Sequence, residues 1–175
     1  MALGQAPFGL WFVALPALAC ALWLVACQTA GRAAFGRGLF VGAGYFAVAL
    51  HWIVEPFQVD PERHGWMAPF ALVLTALGLG LFWGGAGAAG AWIGRRVGAG
   101  TRARILLFGA ALASAEMLRG HVLTGFPWAL VGHVWIGWPQ MQAGALVGSH
   151  GLTLITIAIA ALPLALRRGW LPGLA

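Results

Sequence analysis

Apolar residues form long, nearly uninterrupted runs along this chain. A helix needs about 20 apolar residues to cross the hydrocarbon core of a bilayer, and five runs approach that length. They predict membrane spans over residues 9–26, 38–54, 66–93, 104–118 and 143–166. The pattern therefore indicates an all-α fold, a polytopic transmembrane helix bundle of about five spans that makes up one transmembrane domain over residues 1–175.

Small residues within these runs predict close helix packing. The third run is longer than a straight crossing requires, and its glycine-rich stretch at 84–90 either packs closely against a neighbour or breaks the helix. Pro16 within the first run is compatible with a membrane helix whose neighbours satisfy the freed carbonyl. The positions expected to let helix backbones approach each other are Gly78, Gly80, Gly84, Gly87 and Gly90.

Composition and charge support a membrane protein. The chain is 61% hydrophobic and 8% charged, whereas a soluble domain carries about 25% charged residues. Eight arginines fall in the loops on one predicted side, and all four acidic residues fall on the other. By the positive-inside rule the arginine-rich loops and the C-terminus are cytoplasmic and the acidic loops lie outside. The net charge of +6 therefore indicates topology, and no nucleic-acid partner is expected. The residues are Arg32, Arg37, Arg95, Arg96, Arg102, Arg104, Arg167 and Arg168 against Glu55, Asp60, Glu62 and Glu116.

Cysteine and histidine spacing gives little support for a metal site or a cofactor, and we predict neither. Cys20 and Cys27 lie seven residues apart in an apolar run and are expected to be lipid-buried thiols. His121, His133 and His150 have spacings that do not place them on a shared helical face.

The stretch at 116–128, EMLRGHVLTGFPW, is the most informative motif. Glu116 and Arg119 are three residues apart, so their side chains can pair on one helix face at the outer membrane boundary. The glycine and proline that follow hold two aromatic side chains in a defined pose near the lipid headgroups. This loop is either an interfacial anchor or a wall for a lipid or acyl chain. Its residues are Gly125, Phe126, Pro127 and Trp128.

A second pair of polar residues ends the second predicted span. His51 and Glu55 are four apart and could hydrogen-bond along one helix face. They either pair at the interface or face a substrate. In the loop that follows, Pro56 and Pro61 are expected to interrupt regular structure.

Several ordered segments resemble the apolipoprotein N-acyltransferases of the bacterial inner membrane. The APFGLW segment at 6–11 is similar to the turn after that family's first membrane helix, and GAGYFAVALHWI at 42–53 to its Gly-aromatic helix. The E-x-L-R-G-x-x-x-T-G-F-P-W motif at 116–128, with Gly132, is the most specific match. Residues 142–151 resemble the start of the next helix.

The resemblance implies acyl transfer from a phospholipid donor to the N-terminal S-diacylglyceryl-cysteine of a lipoprotein, within the inner membrane and among membrane lipids. In that family the catalytic Glu, Lys and Cys belong to a periplasmic nitrilase-like domain. This chain has no lysine, and its cysteines lie in the first span near the cytoplasmic side. We therefore expect an internal membrane-domain portion that lacks the nitrilase-like domain, contains no catalytic residue and is inactive alone. The resemblance also places the loop at 125–128 in the periplasm.

Two other functions remain open from the sequence. A small channel or transporter, complete at 175 residues, could use His51, Glu55 and Glu116 as pathway groups. However, the two glutamates lie at span ends and not near the midplane, where transporter sites usually lie. A structural membrane subunit is the third possibility.

Overall fold

The computed structural model describes residues 1–122 and 125–166, and the secondary structure in these ranges is entirely helical. The α-helices are α1 (Trp11–Ala26), α2 (Gly31–Ala49), α3 (Pro61–His64), α4 (Ala68–Arg96), α5 (Thr101–Arg119) and α6 (Gly144–Leu166). Short 3-10 helices connect them at Ala2–Gly4, His51–Gln58, Gly65–Met67, Val131–Trp135 and Pro139–Ala143. The predicted all-α class is confirmed.

Two helical stretches are long and apolar enough to cross a membrane, namely Pro61–Arg96 and Pro139–Leu166. A third candidate exists if Gly31–Ala49 and His51–Gln58, which meet at a 47° bend, form one span. α1 is apolar but has only 16 residues. α5 carries charged residues at both ends, because arginines lie in its first turn and the Glu116–Arg119 pair lies in its last. A helical membrane bundle follows from these helices, while the count of five spans stays a prediction.

Helix boundaries differ from the predicted ones around the second span. The predicted second span, 38–54, covers most of α2, which runs from Gly31 to Ala49, and the start of the 3-10 helix His51–Gln58. Leu50 leaves the helical region with φ −111° and ψ 20°, and a 3-10 helix follows. The interruption expected at Pro56 is wrong, since Pro56 lies within that 3-10 helix, whereas Pro61 begins α3 after two non-helical residues, 59–60. Proline suits a first helical position because its fixed φ is already helical.

Glycines bring α2 and α4 into direct backbone contact. α4 continues without a break through the stretch at 84–90. A β-carbon at Gly87 would lie 2.5 Å from the carbonyl oxygen of Ala34, and one at Gly80 would lie 2.8 Å from that of Leu39. Gly38 on α2 packs equally closely against Trp83, a contact the sequence did not suggest. The expected helix-contact role is therefore confirmed for Gly80 and Gly87.

The remaining predicted glycines divide by environment. Gly84 packs against Phe35 of α2, and Gly90 packs against Phe108 of α5 with an approach of 3.1 Å. Gly78 is different, because a β-carbon there would meet no atom within 4 Å. The prediction of a helix contact at Gly78 is therefore wrong within the part of the chain that the structure describes.

The helices pack antiparallel and sort the charges onto two ends. Gly94 of α4 faces Arg104 of α5, whereas Trp83 of α4 faces Glu116. The turns at 27–30 and 97–100 meet at one end, where Arg95 Nη1 donates to Thr29 O. We call this the arginine end, with Arg32, Arg37, Arg95, Arg96, Arg102 and Arg104; the acidic end holds Glu55, Asp60 and Glu62. Arg167 and Arg168 lie outside the described residues.

The segment between α5 and α6 folds into the bundle at the acidic end. We call residues 125–143 the linking segment. Its backbone is largely non-helical up to Leu130, and its 3-10 helix Val131–Trp135 packs against α6 and α1. Leu130 is 0% exposed. The segment continues into α6, where Gly148, with φ 70° and ψ 175°, kinks the first turn away from the rest.

The α2–α4 contact can be tested with two alanine substitutions on one helix. We expect Gly87→Ala to lower the free energy of unfolding by about 1–3 kcal/mol, because the methyl group would meet the Ala34 carbonyl. Gly85→Ala is the matched control, since a β-carbon there meets no described atom within 4 Å. It should be neutral or slightly stabilising. Thermal unfolding in detergent measures both, and equal losses would contradict the close-packed interface.

Candidate functional site

The site is built around an ion pair on the last turn of α5. Arg119 Nη2 donates to Glu116 Oε2 at 3.0 Å, and the side chains are 1% and 0% exposed. The expected pairing is therefore present, and it is enclosed by protein. Trp83 Nε1 donates to the other carboxylate oxygen, Oε1, at 2.8 Å. The guanidinium also lies 5.0 Å from the centre of the Phe46 ring, a cation–π arrangement.

Arg119 connects this pair to the linking segment. Its Nη1 donates to the carbonyl oxygens of Phe126 at 2.6 Å and Trp128 at 2.9 Å. The backbone N–H of Phe126 donates in return to Arg119 O at 3.1 Å. Gly125 has φ 75°, and a β-carbon there would lie 2.5 Å from Gly120 O, so glycine is required at this turn. The guanidinium thereby fixes the backbone of the motif.

Tyr45 and Gln5 hydrogen-bond to the next two carbonyl oxygens of the linking segment, those of residues 129 and 130. The Tyr45 hydroxyl donates to Ala129 O at 3.1 Å, and Gln5 Nε2 donates to Leu130 O at 2.9 Å and to the Tyr45 oxygen at 2.6 Å. The Tyr45 ring stacks on Trp83, with centroids 5.2 Å apart and planes 20° apart. These residues were missed from the sequence. The available signals were a single tyrosine and a glutamine next to apolar runs.

Two threonines of α6 hydrogen-bond to the 3-10 helix Val131–Trp135. Gly132 N donates to Thr153 Oγ1 at 3.2 Å, and Trp135 Nε1 donates to Thr156 Oγ1 at 2.8 Å. Gly132 is needed there, because a β-carbon would lie 2.7 Å from Thr153 N. Side chains from four separate parts of the chain thus hydrogen-bond to five backbone groups of the linking segment.

The two aromatic side chains of the motif differ in their exposure. Trp128 is 58% exposed and lies edge to face with Trp52, 43% exposed, at a centroid distance of 6.0 Å. Phe126 is half-buried against the core, and Pro127 is exposed. The backbone of the motif is therefore fixed inside the protein, while the Trp52–Trp128 pair lies on its surface.

His51 and Glu55 lie beside Trp52 but do not pair with each other among the described residues. Both are exposed on the 3-10 helix His51–Gln58. His51 Nδ1 lies 3.0 Å from Val48 O. The expected hydrogen bond along an α-helical face is wrong, because a 3-10 helix has three residues per turn and residues four apart do not align.

Two histidines that the sequence left unconnected come together. The rings of His121 and His150 lie 5.6 Å apart at 32°, and the His150 ring packs on Gly120. Within residues 1–122 and 125–166, no group of three or more His, Cys, Asp or Glu side chains could hold a metal ion. Cys20 is exposed on α1 and Cys27 is half-buried, both as free thiols.

The hydrogen bond from Trp83 can be tested against a matched tryptophan. We expect Trp83→Phe to lower the free energy of unfolding by about 1–3 kcal/mol more than Trp23→Phe, because it leaves a buried carboxylate oxygen without its donor. The indole nitrogen of Trp23 has no hydrogen-bond partner in the described part of the chain, so this variant controls for lost ring volume. Equal losses in thermal unfolding would contradict the role of the bond.

Stability should also depend on pH through His133, in the linking segment. Burial, followed by the nearby charges of Arg119 and His150, lowers its pKa. As pH falls below about 6.5, the unfolded chain takes up the proton before the folded protein does. The free energy of unfolding should therefore decrease below that pH and stay level above it. His133→Gln should reduce this slope in unfolding measured from pH 8 to 5, and an unchanged slope would contradict the assignment.

Comparison with known proteins places this architecture in a family. A family model described as the apolipoprotein N-acyltransferase N-terminal domain matches residues 1–162. The apolipoprotein N-acyltransferase of Caulobacter vibrioides is 48% identical over 139 residues, which cover 79% of this chain and 26% of that protein. The protein of the same name from Rhodopseudomonas palustris is 36% identical over 174 residues, covering 95% of this chain and 32% of that one.

A third relative extends the match. The apolipoprotein N-acyltransferase of Bradyrhizobium diazoefficiens is 37% identical over 170 residues, covering 92% of this chain and 30% of that protein. The chain spans about a quarter to a third of the length of these relatives. Because the family model covers nearly the whole chain, the chain belongs to the apolipoprotein N-acyltransferase family, in its N-terminal domain.

Proposed function

We propose that this chain is the membrane domain of an enzyme that transfers an acyl chain from a phospholipid to the N-terminal S-diacylglyceryl-cysteine of lipoproteins. Its role in that enzyme is to anchor the catalytic part and to form the lipid-facing approach. The observation that carries the proposal is the Arg119 network, which holds residues 126–130 so that Trp128 lies exposed beside Trp52.

The exposed tryptophan pair suits contact with lipid. A tryptophan has an apolar ring body and one N–H, so it is favoured where hydrocarbon meets headgroups. Since Arg119 binds the carbonyl oxygen of Trp128 itself, the position of that ring depends on the buried pair. His51 and Glu55, exposed on the same 3-10 helix as Trp52, add polar groups to this face. In this proposal they contact the polar part of a substrate.

An apolar groove on the outside of the bundle supports the same role. It lies between α4 and α5, has a volume of about 670 Å³, and includes Gly78, Phe82, Gly85 and Leu118. Small residues leave the groove open because they add little side-chain volume. Leu118 lies next to Arg119 at the end of α5, so the groove reaches the level of the site. An acyl chain of a phospholipid fits this chemistry.

The proposal includes the membrane orientation. We place the arginine end and the C-terminus in the cytoplasm, and the loop containing Phe126 and Trp128 in the periplasm. The chain crosses the membrane about five times in this proposal. The charge sorting between the two ends supports this, because arginine-rich loops are retained on the cytoplasmic side. The turns at 27–30 and 97–100 share one end, as an even number of crossings between them requires.

Catalysis itself is assigned outside these residues. The chain contains no lysine, so it cannot supply the lysine that the family resemblance implies for oxyanion stabilisation. Cys27 follows α1 at the arginine end, opposite the linking segment, and Cys20 lies within α1. We therefore expect the 175-residue chain alone to leave lipoproteins without N-acylation.

A chimera tests the function. The region of the Caulobacter vibrioides relative that aligns with this chain is replaced by this chain, and N-acylation is measured by mass spectrometry of lipoprotein N-terminal peptides. We expect activity. Trp128→Ala and Trp52→Ala should each slow acylation about 3- to 10-fold, the loss expected from an aromatic contact of about 0.5–1.5 kcal/mol.

The control is Trp92→Ala, which removes another exposed tryptophan, 51% exposed, near the arginine end. It should leave the rate unchanged, and all three variants should unfold at the temperature of the unsubstituted chimera. A folded chimera without activity would refute the membrane-domain function. Full activity in the Trp52 and Trp128 variants would refute the lipid-facing role of this pair.

A further inference from the structure

The arginine end carries a positive charge that no acidic residue offsets within residues 1–122 and 125–166. Glu55, Asp60 and Glu62 lie at the opposite end, and Glu116 is paired with Arg119. Such an excess is normally explained by topology alone. The packing of individual arginines at this end shows a more specific arrangement.

Two arginines, from α2 and α4, hydrogen-bond to the end of α1 and to the turn that follows it. Arg37 Nη1 donates to Leu24 O at 3.1 Å, and Arg95 Nη1 donates to Thr29 O. Arg37 also faces the amide of Gln28, whose oxygen can accept from Nη1 at 2.7 Å. These hydrogen bonds use only part of the five N–H groups on each guanidinium. The other donors remain available at the surface of this turn.

Arg104 lies at the same end of the bundle, in the first turn of α5. Its side chain packs on Gly94 and its Nε donates to Ala99 O at 3.2 Å, which draws it toward the bundle. Burial raises the pKa of the Cys27 thiol, and the charges of Arg37 and Arg104 oppose this shift. Arg104 Nη1 is enclosed and has no hydrogen-bond acceptor among the described residues.

Helix polarity makes this grouping unfavourable without an anion. α2 and α5 both begin at this end, and neither has a side-chain cap or an acidic residue in its first turn. Arg32 lies in the first turn of α2, and Arg102 lies in that of α5. The N-terminus of a helix carries partial positive charge and favours anions. Placing arginines there is the reverse of the usual preference. A bound anion would offset both the partial charge of the helix N-termini and the charge of the arginines.

Exposed apolar side chains follow the arginines along α2 and α5. Phe40 on α2 is 72% exposed and Leu106 on α5 is 44% exposed. A ligand that combines a phosphate with hydrocarbon chains would therefore match both parts of this surface.

We propose that Arg37, Arg95 and Arg104 form a binding site for the phosphate of an anionic phospholipid headgroup at the arginine end. The guanidiniums bind the phosphate oxygens, and the acyl chains lie along the neighbouring apolar helix faces. The site is at the opposite end from the Trp52–Trp128 pair, so it is separate from the proposed approach of the acyl donor. It stabilises the bundle and selects its lipid surroundings.

Lipid binding to the whole chain tests the site. The purified chain is placed in nanodiscs of phosphatidylcholine with increasing phosphatidylglycerol, and thermal unfolding and native mass spectrometry report stabilisation and bound lipid. We expect phosphatidylglycerol to bind preferentially and to raise the unfolding temperature. Arg37→Gln and Arg104→Gln should each weaken the preference about tenfold, the loss expected when one hydrogen bond to a charged group is removed.

Two controls distinguish a specific binding site from diffuse electrostatic attraction of anionic lipids. Arg63→Gln removes an exposed arginine at the acidic end, and Arg96→Gln removes one at the arginine end that lies on Trp92. Both should retain most of the preference. An Arg96→Gln loss equal to that of Arg104→Gln would overturn the site in favour of diffuse attraction.

Two further arms complete the test. Inorganic phosphate at millimolar concentration, added to phosphatidylcholine discs, should give little stabilisation, and a full effect from phosphate alone would overturn the lipid assignment. If Arg37→Gln or Arg104→Gln fails to fold in phosphatidylcholine, the unsubstituted chain is titrated with salt instead. The preference should then fall by less than that of a soluble polyarginine peptide, because Arg104 is half-buried and partly buried charges are screened less. An equal fall would contradict the site.

Discussion

A non-helical peptide segment buried inside a helix bundle must have its N–H and C=O groups bound by protein, because water does not reach them there. The rest of this structure depends on how that constraint is met at residues 126–132. Arg119 binds two carbonyl oxygens, Tyr45 and Gln5 bind the next two, and Thr153 accepts from the N–H of Gly132. A helix would have met the constraint without side chains. The irregular path requires these groups, and in return it brings Trp128 to the surface at a fixed backbone position.

Close packing between α2 and α4 makes this arrangement possible. Gly38 and Gly42 let α2 lie directly against Trp83, and the same approach sets Tyr45 parallel to its ring. Trp83 can then donate to Glu116 while Phe46 lies beside the Arg119 guanidinium. A buried carboxylate is costly unless it is paired and hydrogen-bonded, and here each carboxylate oxygen has one donor. The small residues of one interface thus control the electrostatics of the site on another helix.

Local relationships were predictable from the sequence, and distant ones were not. The Glu116–Arg119 pair follows from a three-residue spacing, and the contacts at Gly80 and Gly87 follow from the expected role of small residues in lipid. Gln5 and Tyr45 were not identified, because nothing local links them to Leu130 and Ala129, 125 and 84 residues away. The His51–Glu55 pair failed for a different reason. Periodicity in an apolar run does not show where an α-helix ends and a 3-10 helix begins, and the change of helix type alters which side chains align.

The two ends of the bundle use arginine in opposite ways, which follows from what surrounds each side chain. At the acidic end Arg119 is enclosed, and its charge is balanced by Glu116 on the same turn. Its Nη1 group binds two backbone carbonyls, so it acts as a structural link. At the arginine end no carboxylate lies near the α1–α2 turn within the described residues, and backbone carbonyls carry only partial charge. Those carbonyls can orient Arg37 and Arg95 but cannot neutralise them. Water can supply that balance at an open surface, whereas at the edge of a bilayer the nearest full negative charges are lipid phosphates. The contrast in local neutralisation, more than the number of arginines, is the physical reason to expect a phosphate at that end.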